Sequence, residues 1–313
     1  MSETRLGFGA AGIGNHLHAV TDAQATALLE AAWEAGVRHF DTAPHYGLGL
    51  SERRLGAFLA GKPRAEFTIS TKVGRLLEPW PEGADRLDDE DFAVPADHRR
   101  VWDFTEAGVR RSLDESLERL GLDHVDVLYL HDPERHDLER GIAEGLPALA
   151  RLREEGRVGS IGVGSMDTAA LLAAVHSGLA DQLMVAGRYT LADQSAATAV
   201  LPGCVTYGVT VVAAAVFNGG LLATAPGPDS TFDYRAAPPD VVAHARALDE
   251  LCRAHGVPLR AAALQFPLRH PVVTTVVAGG AEPEHVRQNV ELLATPIPDA
   301  LWADLAEREL VVA

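Results

Sequence analysis

Gly36-Val37-Arg38-His39-Phe40-Asp41-Thr42-Ala43-Pro44-His45-Tyr46-Gly47-Leu48-Gly49-Leu50-Ser51-Glu52-Arg53-Arg54-Leu55-Gly56 is the stretch on which the reading of the chain turns. Val37 to Phe40 reads as a short strand that delivers Asp41 at its end. A turn punctuated by Pro44, Gly47 and Gly49 follows and carries His45 and Tyr46. Ser51 then reads as the cap of a helix running to Leu59. A strand that ends on a carboxylate, passes a tyrosine and turns into a helix is how a barrel of alternating strands and helices presents chemistry on its loops.

The same alternation extends in both directions. Upstream, Arg5 to Gly9 reads as a strand and Asp22 to Ala35 as a helix, opened by a capping box between Thr21 and Gln24. Gly7, Gly9 and Gly12 spell a dinucleotide fingerprint, but a true one runs straight into a helix, whereas Ile13 to His18 is loop-like and a helix starts only at Thr21, so the Rossmann reading is set aside. Downstream, strands are expected at Glu66–Lys72, Val125–Leu130, Gly159–Val163, Gln182–Ala186, Val209–Ala215 and Val272–Ala278. Helices are expected from Thr105, over Leu138–Glu155 with a break near Pro147, and from Asp167, Asp193, Pro239, Glu282 and Asp299. Two stretches are too long for ordinary connections: residues 73–103, with Trp80 and Trp102, and the proline-rich 225–239. They read as functional loops over one mouth. Eight strand–helix units with no linker or composition shift predict one (β/α)8 barrel over residues 1–313, with an extra helix at the C-terminal end.

Composition bounds the partners. A net charge of −17 argues against nucleic acid or an anionic membrane surface. No apolar run approaches the roughly 18 residues of a membrane span, and no apolar leader opens the chain. Cys204 and Cys252 are too few for a disulfide framework, which suits a reducing cytoplasm. A small-molecule substrate is expected; monomer and homo-oligomer stay open.

Asp41, Lys72 and His131 each stand at or directly after the carboxyl end of an expected strand, with Tyr46 on the loop after one of them. Singly, each has a bland structural explanation. Together they make chemical sense. A tyrosine is a poor acid or base near neutrality. An adjacent lysine ammonium favours the phenolate, an aspartate holds that lysine, and a histidine orients a carbonyl or alcohol oxygen. Such a set exchanges a proton at oxygen while a hydride moves at the neighbouring carbon.

The stretches Phe40–Glu52, Ser70-Thr71-Lys72-Val73-Gly74-Arg75, Ser112–Gly121, Val125–Pro133 and Gly187-Arg188-Tyr189-Thr190-Leu191 resemble the aldo-keto reductases end to end. Within them they are most similar to the sugar-oxidising branch of D-threo-aldose 1-dehydrogenases and L-fucose or L-galactose dehydrogenases. The resemblance implies Tyr46 as proton donor or acceptor, completed by Lys72, Asp41 and His131. It implies a nicotinamide dinucleotide across the mouth, with phosphates near Phe217, Asn218, Gly219 and Leu221. The adenosine end would lie at Gly279, Gly280, His285, Gln288 and Asn289, where glycines and a helix N-terminus suit an anion.

The chain departs from the family pattern in three places. Where many reductases hold the carboxamide with Ser-Asn and Gln, Gly164-Ser165 and Ala186 stand here, leaving Ser165 with Arg188 nearby. Ala214 occupies the place of a stacking aromatic ring. With Arg287 as the nearby arginine, NAD is expected, NADP being the alternative. Polar neighbours of the tetrad, His45, Arg75 and Asp132, with His16 and His18 at the rim, suit a polyol over an apolar carbonyl, and Trp80 or Trp102 could cover a sugar face. The implied reaction is oxidation of an aldose C1 hydroxyl to a lactone. The alternative is aldehyde or ketone reduction, or pyridoxal-type oxidation, with the same tetrad. A metal-dependent hydrolase using His16 and His18 would hold zinc. A non-catalytic nicotinamide-binding subunit would bind cofactor without turnover.

Overall fold

The computed structural model describes residues 4–312. Its strands, in chain order, are β1 (Leu6–Gly9), β2 (His39–Asp41), β3 (Thr68–Val73), β4 (Arg75–Pro79), β5 (His98–Trp102), β6 (Val125–His131), β7 (Val158–Ser165), β8 (Gln182–Ala186), β9 (Thr210–Ala214), β10 (Thr231–Phe232), β11 (Arg235–Ala236) and β12 (Val273–Ala278). β4 and β5 form one antiparallel hairpin and β10 and β11 another. The other eight run parallel and close in the order β1-β2-β3-β6-β7-β8-β9-β12, with β12 pairing back onto β1. The helices are α1 (Asp22–Glu34), α2 (Leu50–Leu59), α3 (Glu106–Leu120), α4 (Leu138–Arg140), α5 (Leu146–Glu154), α6 (Thr168–His176), α7 (Val200–Tyr207), α8 (Pro239–Ala254), α9 (Leu259–Gln265), α10 (Pro283–Leu293) and α11 (Asp299–Glu307). The expected (β/α)8 barrel with its additional C-terminal helix is the observed fold.

Period-two alternation explains the two-sided core. Leu128 and Leu130 pack outward into the main core with the helices, whereas Val127 and Tyr129 join Met184, Val212 and Val277 inside the barrel. The glycines near the chain start serve packing: a Cβ on Gly7 would sit 3.0 Å from Val277 Cγ2, and one on Gly9 3.2 Å from Val277 Cγ1. Thr21 and Gln24 form the expected capping box, and Thr105 caps α3. The break near Pro147 is a π-helical turn over Gly141–Gly145, just ahead of a residue with no N–H to donate.

Three expectations change. Ser51 does not cap α2: Gly49, at φ 82°, is the cap and the helix starts at Leu50. The Ser51 hydroxyl instead donates to the Ala10 carbonyl at 2.8 Å and pairs with Thr42 Oγ1 at 2.8 Å, pinning α2 to the ends of β1 and β2. No helix starts at Asp193. Thr190 Oγ1 accepts from the Ala192 and Asp193 N–H groups, and Asp193 accepts from the Ser195 N–H. These local bonds compete with helix, which begins only at Val200. Finally, residues 73–103 are not a plain loop, because β4 and β5 tie their two ends together over five residue pairs. Among the described residues no helix is long and apolar enough to cross a membrane.

Candidate active site

Asp41, Lys72 and His131 share the inward-facing parity of their strands. His131 continues the run Val127, Tyr129; Ser70 and Lys72 alternate on β3; Asp41 closes β2 beside Ser70. Parallel register then sets them side by side at the carboxyl-end mouth. Lys72 Nζ donates to Asp41 Oδ2 at 2.7 Å and to the Thr42 carbonyl at 2.8 Å, and the Ser70 hydroxyl donates to Asp41 Oδ1 at 2.7 Å. Both charges are almost fully buried, Asp41 at 3% and Lys72 at 2% exposure. Such a pair survives burial only because every polar atom has a partner.

Tyr46 completes the group. Lys72 Nζ lies 4.7 Å from the centre of its ring, and the His131 ring stands edge-on at 6.0 Å. The turn is held in place by close backbone approach. Gly47 has φ 63°, and a Cβ there would lie 2.1 Å from the Gly14 carbonyl oxygen; one on Gly14 would meet the Tyr46 backbone at 2.9 Å. The Gly-rich start of the chain is therefore a seat for the tyrosine turn.

The electrostatics differ from the sequence expectation. Burial pushes the Tyr46 phenol up to about 12, with Lys72 acting against that rise without cancelling it. Desolvation is the larger effect because the Tyr46 ring packs against Lys72, His131 and Phe92, although the residue keeps part of its surface open. Burial, reinforced by Arg75 and Lys72, holds His131 well below its ordinary 6.5, so its imidazole is neutral at pH 7. His45 is depressed in the same way, by burial first and then by Arg75 and Arg100. The protein alone thus presents a protonated phenol and two neutral imidazoles around one space. This set can give a proton to an oxygen and, with a nearby positive charge, take one back.

The rim residues expected from sequence gather here with one exception. The His45 ring lies 5.5 Å from that of His131, and Arg75 bonds Asp132 while its guanidinium covers Trp102 at 4.5 Å. Arg75 Nε and Nη1 and His45 Nδ1 are buried without partners, so polar atoms are left for a ligand. His16 packs edge-on against Tyr234 at 4.8 Å and against Phe92 at 5.2 Å, joining both long loops. His18 is exposed rather than pocket-lining. Trp80 stacks on Arg86 at 4.2 Å and Trp102 on His136 at 5.5 Å, so both anchor the hairpin. Among the described residues no three His, Cys, Asp or Glu side chains meet as metal ligands.

The adjoining third of the mouth is built of small residues: Gly164, Ala186 and Ala214 end or nearly end β7, β8 and β9. The backbone turns through positive φ at Ala215, Asn218, Gly219 and Gly220. Asn218 spends its amide on the Gly187 carbonyl and the Thr190 hydroxyl, so its side chain is structural. Leu221 is fully buried, and Phe217 packs against the core. Asn289 Nδ2 donates to the Gly279 carbonyl at 3.1 Å, and a Cβ on Gly280 would lie 3.1 Å from His285 Cβ. Arg260, on α9, donates to Gln288 Oε1 at 3.1 Å and Asn289 Oδ1 at 2.7 Å, and its Nε is a buried donor without partner. A cleft of about 670 Å³ opens there, lined by Leu222, Thr224, Arg260, Gln288 and Leu292 among others. A larger concavity, about 1020 Å³, lies at the opposite, amino end of the barrel near Arg5, Arg38 and Trp302.

The profile of the Aldo/keto reductase family matches residues 5–309. The chain belongs to that family. It is 55% identical to a D-threo-aldose 1-dehydrogenase from a Pseudomonas species, covering 98% of this chain and 94% of that one. It is 38% identical to a pyridoxal 4-dehydrogenase from Microbacterium luteolum, covering 99% and 95%. The glycerol dehydrogenase of Gluconobacter oxydans superposes with a TM-score of 0.77 at 22% identity, over 99% of this chain and 94% of that one, which speaks to fold alone.

This aldo/keto reductase is thus a nicotinamide-dependent oxidoreductase, and its residues fit a dinucleotide. The unpartnered Arg260 Nε, the glycines at 279 and 280 and the small residues ending β7 to β9 leave donors and space where one would lie. Sequence reasoning missed Arg260, having counted Arg287 as the nearby arginine. Arg287 faces Glu34 and Glu284, each at 3.9 Å, while Arg260 bonds Gln288 and Asn289 from a different helix. It also missed Glu134, which bonds Ser165, although Glu134 follows Asp132-Pro133 directly.

Proposed function

We propose that this enzyme oxidises the C1 hydroxyl of a free aldose of the L-fucose, D-arabinose or L-galactose type to its lactone, with Tyr46 exchanging the hydroxyl proton. The observation that carries the mechanism is a phenol enclosed against the Lys72–Asp41 pair and a neutral His131. Substrate hydroxyls meet unpartnered polar atoms of His45 and Arg75, beside Asp132. Leaving those atoms unsatisfied would discriminate against apolar aldehydes. The relative at 55% identity bears an aldose 1-dehydrogenase name, which supports the substrate class. When bound, the oxidised nicotinamide supplies the hydride acceptor and a positive charge beside the phenol.

The chain's own residues do the rest. Lys72 lowers the cost of a phenolate at Tyr46, Asp41 keeps Lys72 charged and aimed, and His131 donates to or accepts from the reacting oxygen in its neutral form. Ser165 holds the carboxamide end. Residues Phe217 to Leu221 offer backbone to the phosphates, and Gly279, Gly280, His285, Gln288 and Asn289 take the adenosine. NAD is the proposed cofactor. Arg287 is engaged by carboxylates, and the cleft beside Gln288 balances Arg246, Arg253 and Arg260 against Asp249, Glu250 and Glu291, so it offers a 2′-phosphate no excess of positive charge. Two buried, unpaired thiols suit a reducing cytoplasm.

A second reading, oxidation of a pyridoxal-type substrate with the same tetrad, is favoured by the relative at 38% identity. The test is a panel of free aldoses, pyridoxal and apolar aldehydes assayed with NAD and NADP, with Tyr46→Phe as control. Turnover confined to pyridoxal would replace the first reading by the second. Full turnover in Tyr46→Phe would end both.

A further inference from the structure

Glu134 carries a carboxylate that the fold leaves half-used. Oε1 accepts from the Ser165 hydroxyl at 2.7 Å, whereas Oε2 is buried with no hydrogen-bond partner. A buried carboxylate oxygen without a donor is costly, and one kept in a native site calls for a donor, from water or from a ligand. No cation pairs with it among the described residues; Arg135, next in sequence, reaches Glu90 instead, at 3.5 Å. Its neighbours Asp132 and Asp167 are acidic, and burial raises the Glu134 carboxyl from its ordinary value.

Ser165 is equally constrained. Its hydroxyl proton goes to Glu134, and its oxygen accepts the Asp167 N–H at 2.8 Å, leaving one lone pair. Glu134 and Ser165 therefore form an acceptor–acceptor pair with no donor of their own to offer. The pair lies beside the reacting centre. His131 pairs in register with Gly164, and a Cβ on Gly164 would sit 3.8 Å from Lys72 Cε. One strand further on, Ala186 brings no hydrogen-bonding side chain.

We infer that Glu134 is a cofactor-binding residue: with Ser165 it accepts the two N–H donors of the nicotinamide carboxamide, and its negative charge favours the oxidised, cationic ring over the reduced, neutral one. A primary amide NH₂ is the group that matches two acceptors side by side. A carboxylate attracts a cation and hardly a neutral ring, and because Glu134 as a residue is only half-buried, solvent screens part of that attraction. The pairing favours loading of the oxidised cofactor and release of the reduced one, and it makes the bound ring a weaker hydride acceptor. The inference rests on the dinucleotide crossing the mouth as proposed above.

The test is binding, independent of turnover. Fluorescence quenching or calorimetry gives Kd for NAD+ and for NADH with the wild-type protein, Glu134→Gln and Ser165→Ala. Glu134→Gln is expected to weaken NAD+ about tenfold and NADH no more than about threefold, so that the ratio of the two constants shifts. Ser165→Ala keeps the charge and is expected to weaken both forms alike. Circular dichroism checks that each variant folds, and Glu134→Asp, which keeps charge at a shorter reach, stands in should the glutamine variant unfold; it is expected to preserve the ratio while weakening both forms. An unchanged ratio in Glu134→Gln, or a ratio shift in Glu134→Asp, overturns the inference alone. A wild-type protein that binds neither form overturns the reading of the mouth together with it.

Discussion

The two halves of the barrel mouth are finished to different degrees. On the side of β2, β3 and β6, Asp41 and Lys72 have every polar atom engaged within the protein. On the side of β7, β9 and β12, glycines, alanines and positive-φ turns predominate, and Glu134 Oε2 and Arg260 Nε have no partner. The first half is preorganised for charge development, which avoids reorganisation during reaction. The second is complete only with a ligand. The difference teaches that a saturated charge pair holds its geometry without a ligand, whereas the orphaned atoms around the mouth, on His45 and Arg75 as well as on Glu134 and Arg260, still lack a partner.

The comparison is broken most sharply at Tyr46. Tyr46→Phe is expected to lower kcat by about 10²- to 10⁴-fold, the range of a positioned acid or base, while cofactor Kd stays unchanged. A comparable loss of cofactor affinity in a titration would erase the division between the halves. Lys72→Met leaves the buried Asp41 charge alone and is expected to cost about 3–5 kcal/mol in urea unfolding. Asp41→Asn with Lys72→Met should recover part of that loss, and no recovery would mean the pair is not coupled.

Acid pH probes the half beside β2, β3 and β6 next. His45 and His131 have folded values below 6.5, so the unfolded chain binds more protons as pH falls through that value. Their contribution to stability is present above about pH 6.5 and is lost below it, at up to about 1.4 kcal/mol per pH unit for each. Urea midpoints measured between pH 7.5 and 5.5 are expected to fall, and less steeply in His131→Asn. A flat midpoint would contradict burial of neutral imidazoles. Arg260→Ala gives the smallest effect, about a tenfold rise in cofactor Kd with kcat kept. A drop in kcat without a change in Kd would move Arg260 to the other half.

How much of this was legible beforehand differs by region for a physical reason. Asp41, Lys72 and His131 were readable because strand parity and strand ends are local properties, and parallel barrels bring those ends together. The Gly-rich stretch from Gly7 to Gly14 was readable as something other than a fingerprint, yet its use as a seat for the Tyr46 turn was not. Ser51 was misread because its hydroxyl finds Ala10 and Thr42, partners 41 and 9 residues away, which no capping rule anticipates. The phenol's rise to about 12 was also hidden, since burial outweighs the visible lysine.

The sequence by itself determined the alternation of eight strands and helices, the family, and the four side chains at the strand ends and the adjoining turn. The alternation and the strand-end placement follow from short-range periodicity and spacing, and the family from the resemblance of the quoted motifs. Only the tertiary structure decided which polar atoms remain without partners. It brought Arg260 to Gln288 and Asn289 across 28 and 29 residues, and Glu134 to Ser165 across 31. Whether a buried donor or acceptor is satisfied depends on every group that packs around it, and that sum exists only once the chain has closed on itself.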